Sequence, residues 1–311
     1  MHNHSLEDDA SSRRIGLVFF LNLSFTIIEF IGGILTNSTA IMADAVHDLG
    51  DSLSIGSAWV LNRLGRRSAN SEFTYGYRRL SLFGAFLNSV VLIAGSLWVL
   101  SEAIPRLADP VMPMAEGMLA LAILGVTVNG FAAYRLSKGN TLNEKVLNWH
   151  LLEDMLGWLS VLVVSITLMF VDWPILDPLL SVGFTLFILF NVVRNLWATG
   201  KLFLQAVPDR ALHDKIRKTL LDVDSVSGVH HQHLWSLDGE HHVLTAHIVV
   251  DRNFNADEYG RIKSATAEAL EQYGLAHTTI EVECSEELCR DGTPEQDNRQ
   301  TNHTAGDHDG T

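Results

Sequence analysis

Two histidine–aspartate pairs at one spacing, His47 with Asp51 and His150 with Asp154, sit inside stretches that are otherwise apolar. On an α-helix, residues four apart stand one above the other on the same face. Each pair therefore offers an imidazole nitrogen and a carboxylate oxygen toward a common point. Two such pairs on two helices supply four ligands that suit tetrahedral Zn²⁺, and an all-oxygen set would have pointed to Mn²⁺ instead. Around His47, Asp44 and Asp48 complete an i, i+3, i+4, i+7 stripe, and Glu153 joins the second pair. Ionisable groups at membrane depth are costly and mark pathways for ions or protons, so the stripe must face a protein interior or a wet cavity. Asn22 and Glu29, seven apart, and Asn129 extend that polar interior, where amides also join helices by hydrogen bonds. Asp44, Asp48 and Glu153 read as entrance, vestibule or packing groups.

Six stretches are long enough to hold these residues across a bilayer, which takes about 20 mostly apolar residues. They fall at 15–35, 39–61, 80–104, 115–136, 146–171 and 176–198. Pro105, Pro110 and Pro113 separate the third from the fourth, and Pro174 and Pro178 bracket the turn before the sixth. Arg13, Arg14, Arg63, Arg66, Arg67, Arg78, Arg79, Arg135, Lys138, Lys145 and Lys201 all fall on one side of this arrangement, with only Arg106 on the other. Positive charge collects on the cytoplasmic side, so both termini are expected there. Six buried helices of a soluble protein would leave that asymmetry a coincidence.

Long apolar runs lie almost wholly before Pro208 and most of the charge lies after it. That shift predicts a membrane domain followed by a soluble one. The net charge of −14 excludes nucleic acid as a partner, which needs a basic surface, and fits one that attracts cations. Two cysteines, Cys284 and Cys289, are too few for a disulfide framework. The polar first fourteen residues and the long apolar run behind them do not read as a cleavable signal peptide.

Behind Pro208, residues 209–222 place Leu212, Ile216, Leu220 and Val223 at helical spacing. Residues 226–237 and 241–250 read as strands around Asp238-Gly239, a hairpin turn signal. A helix over 256–273 and a strand over 277–283 complete an αββαβ order, which fits one sheet backed by a helical layer. With Asp238-Gly239 as a two-residue turn, facing residues sum to 477, which sets His230 across from His247. Cross-strand neighbours of this kind have Cβ atoms about 5 Å apart, close enough to share a metal. His277 and Glu283 have matching parity on the last strand. Eight of the 14 histidines lie between 213 and 277. From Ser285 onward the chain is polar and acidic, a composition that predicts disorder.

Taken together, six spans, His-x-x-x-Asp in the second and fifth, and a C-terminal αββαβ domain resemble the cation diffusion facilitator family of zinc transporters. The resemblance covers roughly 15–284. Local matches are Ala43-Asp44-Ala45-Val46-His47 with Asp51, Tyr75-Gly76-Tyr77-Arg78-Arg79, Asp177-Pro178 and His233-Leu234-Trp235. It implies six transmembrane helices (15–207) behind a cytoplasmic tail (1–14), then a ferredoxin-like cytoplasmic domain for metal binding and dimerisation (208–284) and an acidic tail (285–311). It implies a homodimer in the lipid bilayer, in the plasma (inner) membrane if the source is bacterial, with protons as the coupling ion. In relatives with a similar soluble domain, corresponding residues bind a second zinc that is not transported, and by that resemblance His230, His247, His277 and Glu283 are expected to do so here. Some relatives also join an N-terminal histidine motif to C-terminal cysteines across the dimer, which here would be His2, His4, Cys284 and Cys289. Residues 137–145 lack the histidine-rich loop of many relatives, and the loop between spans two and three lacks His and Asp.

Charge then supplies a mechanism. Two carboxylates and two neutral imidazoles around Zn²⁺ make a net neutral site, and metal binding needs the deprotonated ligands, so metal and protons compete. A site facing the two sides in turn would release metal outward as protons enter. Zn²⁺ is the expected cargo, with Cd²⁺ or Co²⁺ tolerated. An intramembrane metalloenzyme would need an open coordination position and a general base, but HExxH is missing. A membrane-anchored metal sensor would leave the polar stripe on the second span without a use.

Overall fold

The computed structural model of the chain describes residues 3–65, 69–137, 142–251, 255–287, 289 and 291, without the side chains of 3–18, 58–60, 62, 63, 65, 136, 142–147 and 149. Clustering of backbone contacts divides the chain into two compact units, 1–197 and 198–311.

Six long helices come first: α1 (Asn3–Thr36), α2 (Thr39–Gly65), α3 (Leu80–Ala108), α4 (Ala115–Leu136), α5 (Leu142–Phe170) and α6 (Leu176–Phe203). Five contain segments long and apolar enough to cross a membrane: Phe19–Thr36, Leu80–Ala108, Ala115–Arg135, His150–Phe170 and Leu176–Phe203. Helix α2 is of similar length, but Asp44, Asp48 and Asp51 interrupt its apolar run. Two boundaries differ from expectation. Helix α1 begins at Asn3, ahead of the apolar run expected to start at residue 15. Pro105 lies inside α3 rather than beyond it, near enough the end that only one backbone hydrogen bond is lost.

Contacts between the helices depend on missing side chains as much as on large ones. Trp158 of α5 is fully buried among Phe25, Ile41, Met118 and Ala122. A Cβ on Gly125 of α4 would stand 2.2 Å from the Trp158 ring, so only glycine lets the two helices meet there. The start of α2 is fixed from a distance. Asp177, in the first turn of α6, is 1% exposed. Its carboxylate accepts from Ser38 Oγ (2.5 Å), Thr39 N (2.7 Å), Thr39 Oγ (2.8 Å) and Ala40 N (3.2 Å). Two of these, Thr39 N and Ala40 N, are first-turn N–H groups with no partner inside the helix, and their acceptor comes from a residue 138 positions from Thr39. Ser181 Oγ, one turn further along α6, donates to Thr39 O.

The second unit follows the expected order: α7 (Arg210–Leu221), β1 (Val226–Ser236), β2 (His242–Val250), α8 (Ala256–Glu271) and β3 (His277–Cys284). Asp209 caps α7, and Asn255 with Glu258 forms a capping box on α8. The sheet order is β1-β2-β3, with β1 antiparallel and β3 parallel to β2, so α8 is the crossover that parallel pairing requires. Leu234, Leu244, Ala246, Ile248 and Val250 pack on Ile216, Leu220, Ile262 and Leu270, which gives this unit its own core.

The hairpin corrects the expected turn. Facing residues near the loop sum to 478, as in Ser236 with His242, and Leu237 N donates to His241 O, leaving a three-residue loop at Asp238–Glu240. Burial alone would raise the Asp238 carboxyl, but N–H groups of His241 and Glu240 and the His241 ring hold it below its usual value. A bulge between His230 and His233, with His231 at φ +47°, then shifts the register by one. His230 therefore does face His247, because two departures from the simple hairpin cancel.

Asp177→Ala should unfold at a lower temperature in detergent than the parent chain, losing roughly 3 kcal/mol or more because four donors lose one charged acceptor. Ser38→Ala, which removes a single donor, should lose only about 1 kcal/mol. Equal transition temperatures for Asp177→Ala and the parent would show that α2 is fixed by other contacts.

Candidate metal centres

Four side chains from α2 and α5 converge in the first unit. His150 Nε2 lies 2.9 Å from Asp51 Oδ2 and 3.7 Å from Asp154 Oδ2. His47 Nε2 lies 3.5 Å from Asp51 Oδ2 and 3.7 Å from Asp154 Oδ1. One ligand atom from each falls within 4.8 Å of all the others. Metal–ligand bonds near 2.1 Å place neighbouring ligands of a tetrahedron about 3.4 Å apart, inside the observed spread. Both helices contribute at i and i+4, and the two imidazoles meet edge to face at 5.6 Å. Asp154 Oδ1 is buried with no hydrogen-bond donor, and Asp51 Oδ2 has the His150 imidazole at 2.9 Å beside it. Two carboxylates and two imidazoles can hold one divalent ion there and leave no net charge.

Nearby acids are treated differently from one another. Asp44 and Asp48 on α2 and Glu29 on α1 are all buried, and both oxygens of Glu29 and of Asp48 have no hydrogen-bond partner. Asn22 Nδ2 donates to Ser52 Oγ at 3.3 Å, so one of the two asparagines does join helices. Asn129 is buried with its Nδ2 unpartnered. Glu153 is exposed.

In the second unit a different four come together: His230, His247, Glu283 and Cys289. Glu283 bridges the histidines, with Oε2 3.0 Å from His230 Nε2 and Oε1 2.7 Å from His247 Nδ1. Cys289 Sγ is 3.5 Å from His247 Nδ1. The two histidines and Glu283 are buried, and Cys289 is half-buried. Partial burial, with Glu283 and Asp291 nearby, pushes the Cys289 thiol above its ordinary value, so a metal reaches this sulfur by displacing a firmly held proton. The other ring nitrogen of His247, Nε2, lies 3.7 Å from Glu281 Oε2 and 3.6 Å from Asp291 Oδ2. These face a cavity of about 410 Å³ that His231 and His233 also line.

Two sequence expectations fail in this unit. His277 shares a face with Glu283, but it pairs with Val243 while Glu283 pairs with Val249. Six residues of strand put them about 20 Å apart, too far to share an ion. Cys284 points the other way from Glu283 and packs against the hydrophobic core, so it does not act with Cys289. His2 and the side chain of His4 lie outside the described residues, as does nearly all of the segment after 287 that was expected to be disordered. Sequence reasoning missed Cys289 as a neighbour of His247, because the chain reaches it after leaving the last strand, where no period predicts direction. Glu281 was within reach, since it has the parity of Glu283.

Comparison with known proteins gives both units counterparts. The model of the cation efflux transmembrane domain matches residues 15–204, and that of the cation efflux protein cytoplasmic domain matches 208–285. The chain is 31% identical over 290 residues to the cadmium, cobalt and zinc/H⁺-K⁺ antiporter of Bacillus subtilis, covering 91% of each chain. It is 31% identical over 320 residues to the zinc transporter ZitB of Pectobacterium atrosepticum, covering 99% of this chain and 96% of that one. It is 28% identical over 284 residues to the metal cation efflux system protein CzcD of Cupriavidus metallidurans, covering 91% and 89%. With two apolar-bundle helices aiming four metal-type ligands at one point and both domain models matched in order, the chain belongs to the cation efflux family, that of the cation diffusion facilitators, and is a membrane transporter of cations rather than an enzyme.

Proposed function

We propose that the protein exports Zn²⁺ from the cytoplasm in exchange for protons, with His47, Asp51, His150 and Asp154 holding the ion in transit. The observation that carries this reading is the convergence of those four ligand atoms inside an apolar helical bundle. Nitrogen and oxygen in equal number favour Zn²⁺, and Cd²⁺ and Co²⁺ fit the same set, in keeping with the name of the Bacillus relative. The bound ion cancels both carboxylates, which lets the loaded site exist at membrane depth. Protons arriving at Asp51, Asp154 and the imidazoles take the place of the metal's charge when it leaves, so the empty site can return to the cytoplasmic face without two bare anions. The sequence has no G-x-x-x-x-G-K-[ST] loop to bind a nucleotide.

In this reading α2 is a sixth span, its acids turned inward. The domain limits are a tail at 1–14, a membrane domain at 15–207, a ferredoxin-like cytoplasmic domain at 208–284 and an acidic tail beyond. Both termini are cytoplasmic, two copies form a homodimer through the soluble domains, and the membrane is the bacterial plasma membrane. A second zinc, not transported, is held by His230, His247, Glu283 and Cys289.

Asp51→Ala or Asp154→Ala should abolish Zn²⁺ uptake into liposomes driven by a pH gradient, while the protein still runs as a folded species on size exclusion. Each change removes a ligand and leaves the loaded site net positive. Parental flux from either variant would overturn the site assignment.

Replacing His47 or His150 with Asp should shift competition between Zn²⁺ and Mn²⁺ toward Mn²⁺ by roughly tenfold or more, since carboxylate oxygen suits the harder ion. An unchanged ratio would place selectivity elsewhere in the bundle.

For the soluble unit, Cys289→Ala should weaken zinc binding by calorimetry well beyond the roughly 10–100-fold typical of losing an outer partner, because a direct ligand is removed. His277→Ala should leave the affinity as it was. The opposite pattern would restore His277 to the site and exclude the cysteine.

A further inference from the structure

An apolar layer lies between the four-ligand site and a second cavity. Helices α2 and α6 run in the same direction from the Asp177 anchor, so residues 46 and 184, each seven beyond a tethered residue (Thr39 and Asp177), lie at one depth. There Ala43 and Val46 of α2 and Val99 of α3 form a buried apolar cluster, with Phe30 and Phe184 packed on it. The Phe184 ring meets the His47 imidazole edge to face at 5.8 Å. It also lies close to α5, where a Cβ at Gly157 would stand 3.8 Å from Phe184 Cζ, an ordinary packing distance. Gly95 of α3 makes room for Val46, whose Cγ1 would stand 2.6 Å from a Cβ at that position. On its other side Phe184 joins Leu92, Ile188 and Val192. Beyond the layer, a cavity of about 190 Å³ is lined by Asn37, Thr39, Met42, Val99, Glu102 and Arg106. Val99 is thus common to the plug and the cavity. Arg106 donates to Asn37 O at 2.9 Å and Asp177 ties α6 to α2, so the helix ends around the cavity are held together.

Along α2 the cover differs on the two sides of the site. The side chains of His47, Asp51 and His150 are 21, 18 and 26% exposed. Toward the end of α2 that leads away from Asp177, Ser54 to Ser57 are half-buried. Toward the Asp177 end, Asp44, Ala43, Ile41 and Ala40 are all buried. A hydrophobic constriction gates by dewetting, and without water neither a hydrated cation nor a proton can pass. We propose that Phe184, closing on Val46 and Val99, is the outward gate of the transporter, and that the cavity carrying Glu102 and Arg106 is the vestibule into which the ion is released. The inference rests on the transport reading of the four-ligand site. It assigns Phe184 a positioning role: the ring binds no ion and decides which side the site faces.

The test reconstitutes the parent, Phe184→Ala, Phe184→Leu and Val99→Ala in liposomes and follows internal pH with and without Zn²⁺, alongside zinc uptake. The parent should pass protons only when zinc is present. Phe184→Ala and Val99→Ala should leak protons in the absence of zinc, roughly tenfold above the parent, as a widened apolar constriction wets. Phe184→Leu, bulky and apolar, should restore the seal. A ring that merely supported the fold would lower zinc flux with no leak. Proton-tight vesicles from both alanine variants, with the parental ratio of zinc to protons, would overturn the gate. Should Phe184→Ala fail to fold, Val99→Ala gives the same reading. Because the leak is measured without zinc, it decides the gate independently of zinc uptake, and absent zinc uptake by the parent would overturn the transport reading instead.

Discussion

An ionised carboxylate inside an apolar bundle must meet donors, a cation or a proton, and the first unit is arranged around that requirement. Asp177 meets it with donors. Ser38, Thr39 and Ala40 supply four hydrogen bonds to its two oxygens, so its charge is satisfied by the protein alone. Asp51 and Asp154 are in the same bundle, yet Asp154 Oδ1 has no donor, and the polar neighbours of Asp51 Oδ2 and Asp154 Oδ1 are imidazoles, at 2.9 and 3.7 Å. One residue type is therefore used in two ways. Asp177 is finished when the chain folds and fixes where α2 begins; the other two are finished only when something mobile arrives. Since α2 carries His47 and Asp51, the completed carboxylate sets the position of an incomplete one.

Much of the membrane site was legible because it depends only on helical period. His-x-x-x-Asp at 47 and 150 guarantees two ligands on one face of each helix, and the cost of charge in hydrocarbon says which way those faces turn. The partnership of α2 with α5 had no such local signal and came from the match of the two motifs. Asp177 could be read only as part of an Asp-Pro match, since its partners are 137 to 139 residues away. The gate was not legible at all: Phe184, Val46 and Val99 look like any other apolar residues of a span. Their role comes from which helix each faces, and for Val46 that depends on the missing side chain of Gly95.

In the soluble unit, strand period predicted faces well and distances badly. Parity placed His277 and Glu283 on one face correctly, but parity repeats every two residues and carries no information about separation along the strand. The His230–His247 pair was reached through a turn that does not exist; a loop one residue longer than expected and a bulge at His231 compensate each other. Bulges of this kind re-aim side chains next to functional sites, and a hairpin rule has no means to foresee them. Cys289 comes from a segment beyond β3, where direction follows from tertiary contact alone.

The two ligand groups also differ in what they would do to an ion. A transported ion must leave, so the donors of its site should be exchangeable, and carboxylate and imidazole can each accept a proton when the metal departs. Thiolate binds zinc more persistently and is a common ligand where the metal stays. The structure puts sulfur beside His247 in the second unit and only nitrogen and oxygen in the first. Burial follows the same division: His230, His247 and Glu283 are almost wholly covered, whereas three of the four bundle ligands keep open surface on one side and meet an apolar layer on the other. A site meant to retain its ion can be enclosed on all sides by the fold. A site meant to pass it on needs one open face and one that can be opened, and in this bundle the face behind Phe184 has an apolar layer with a cavity beside it.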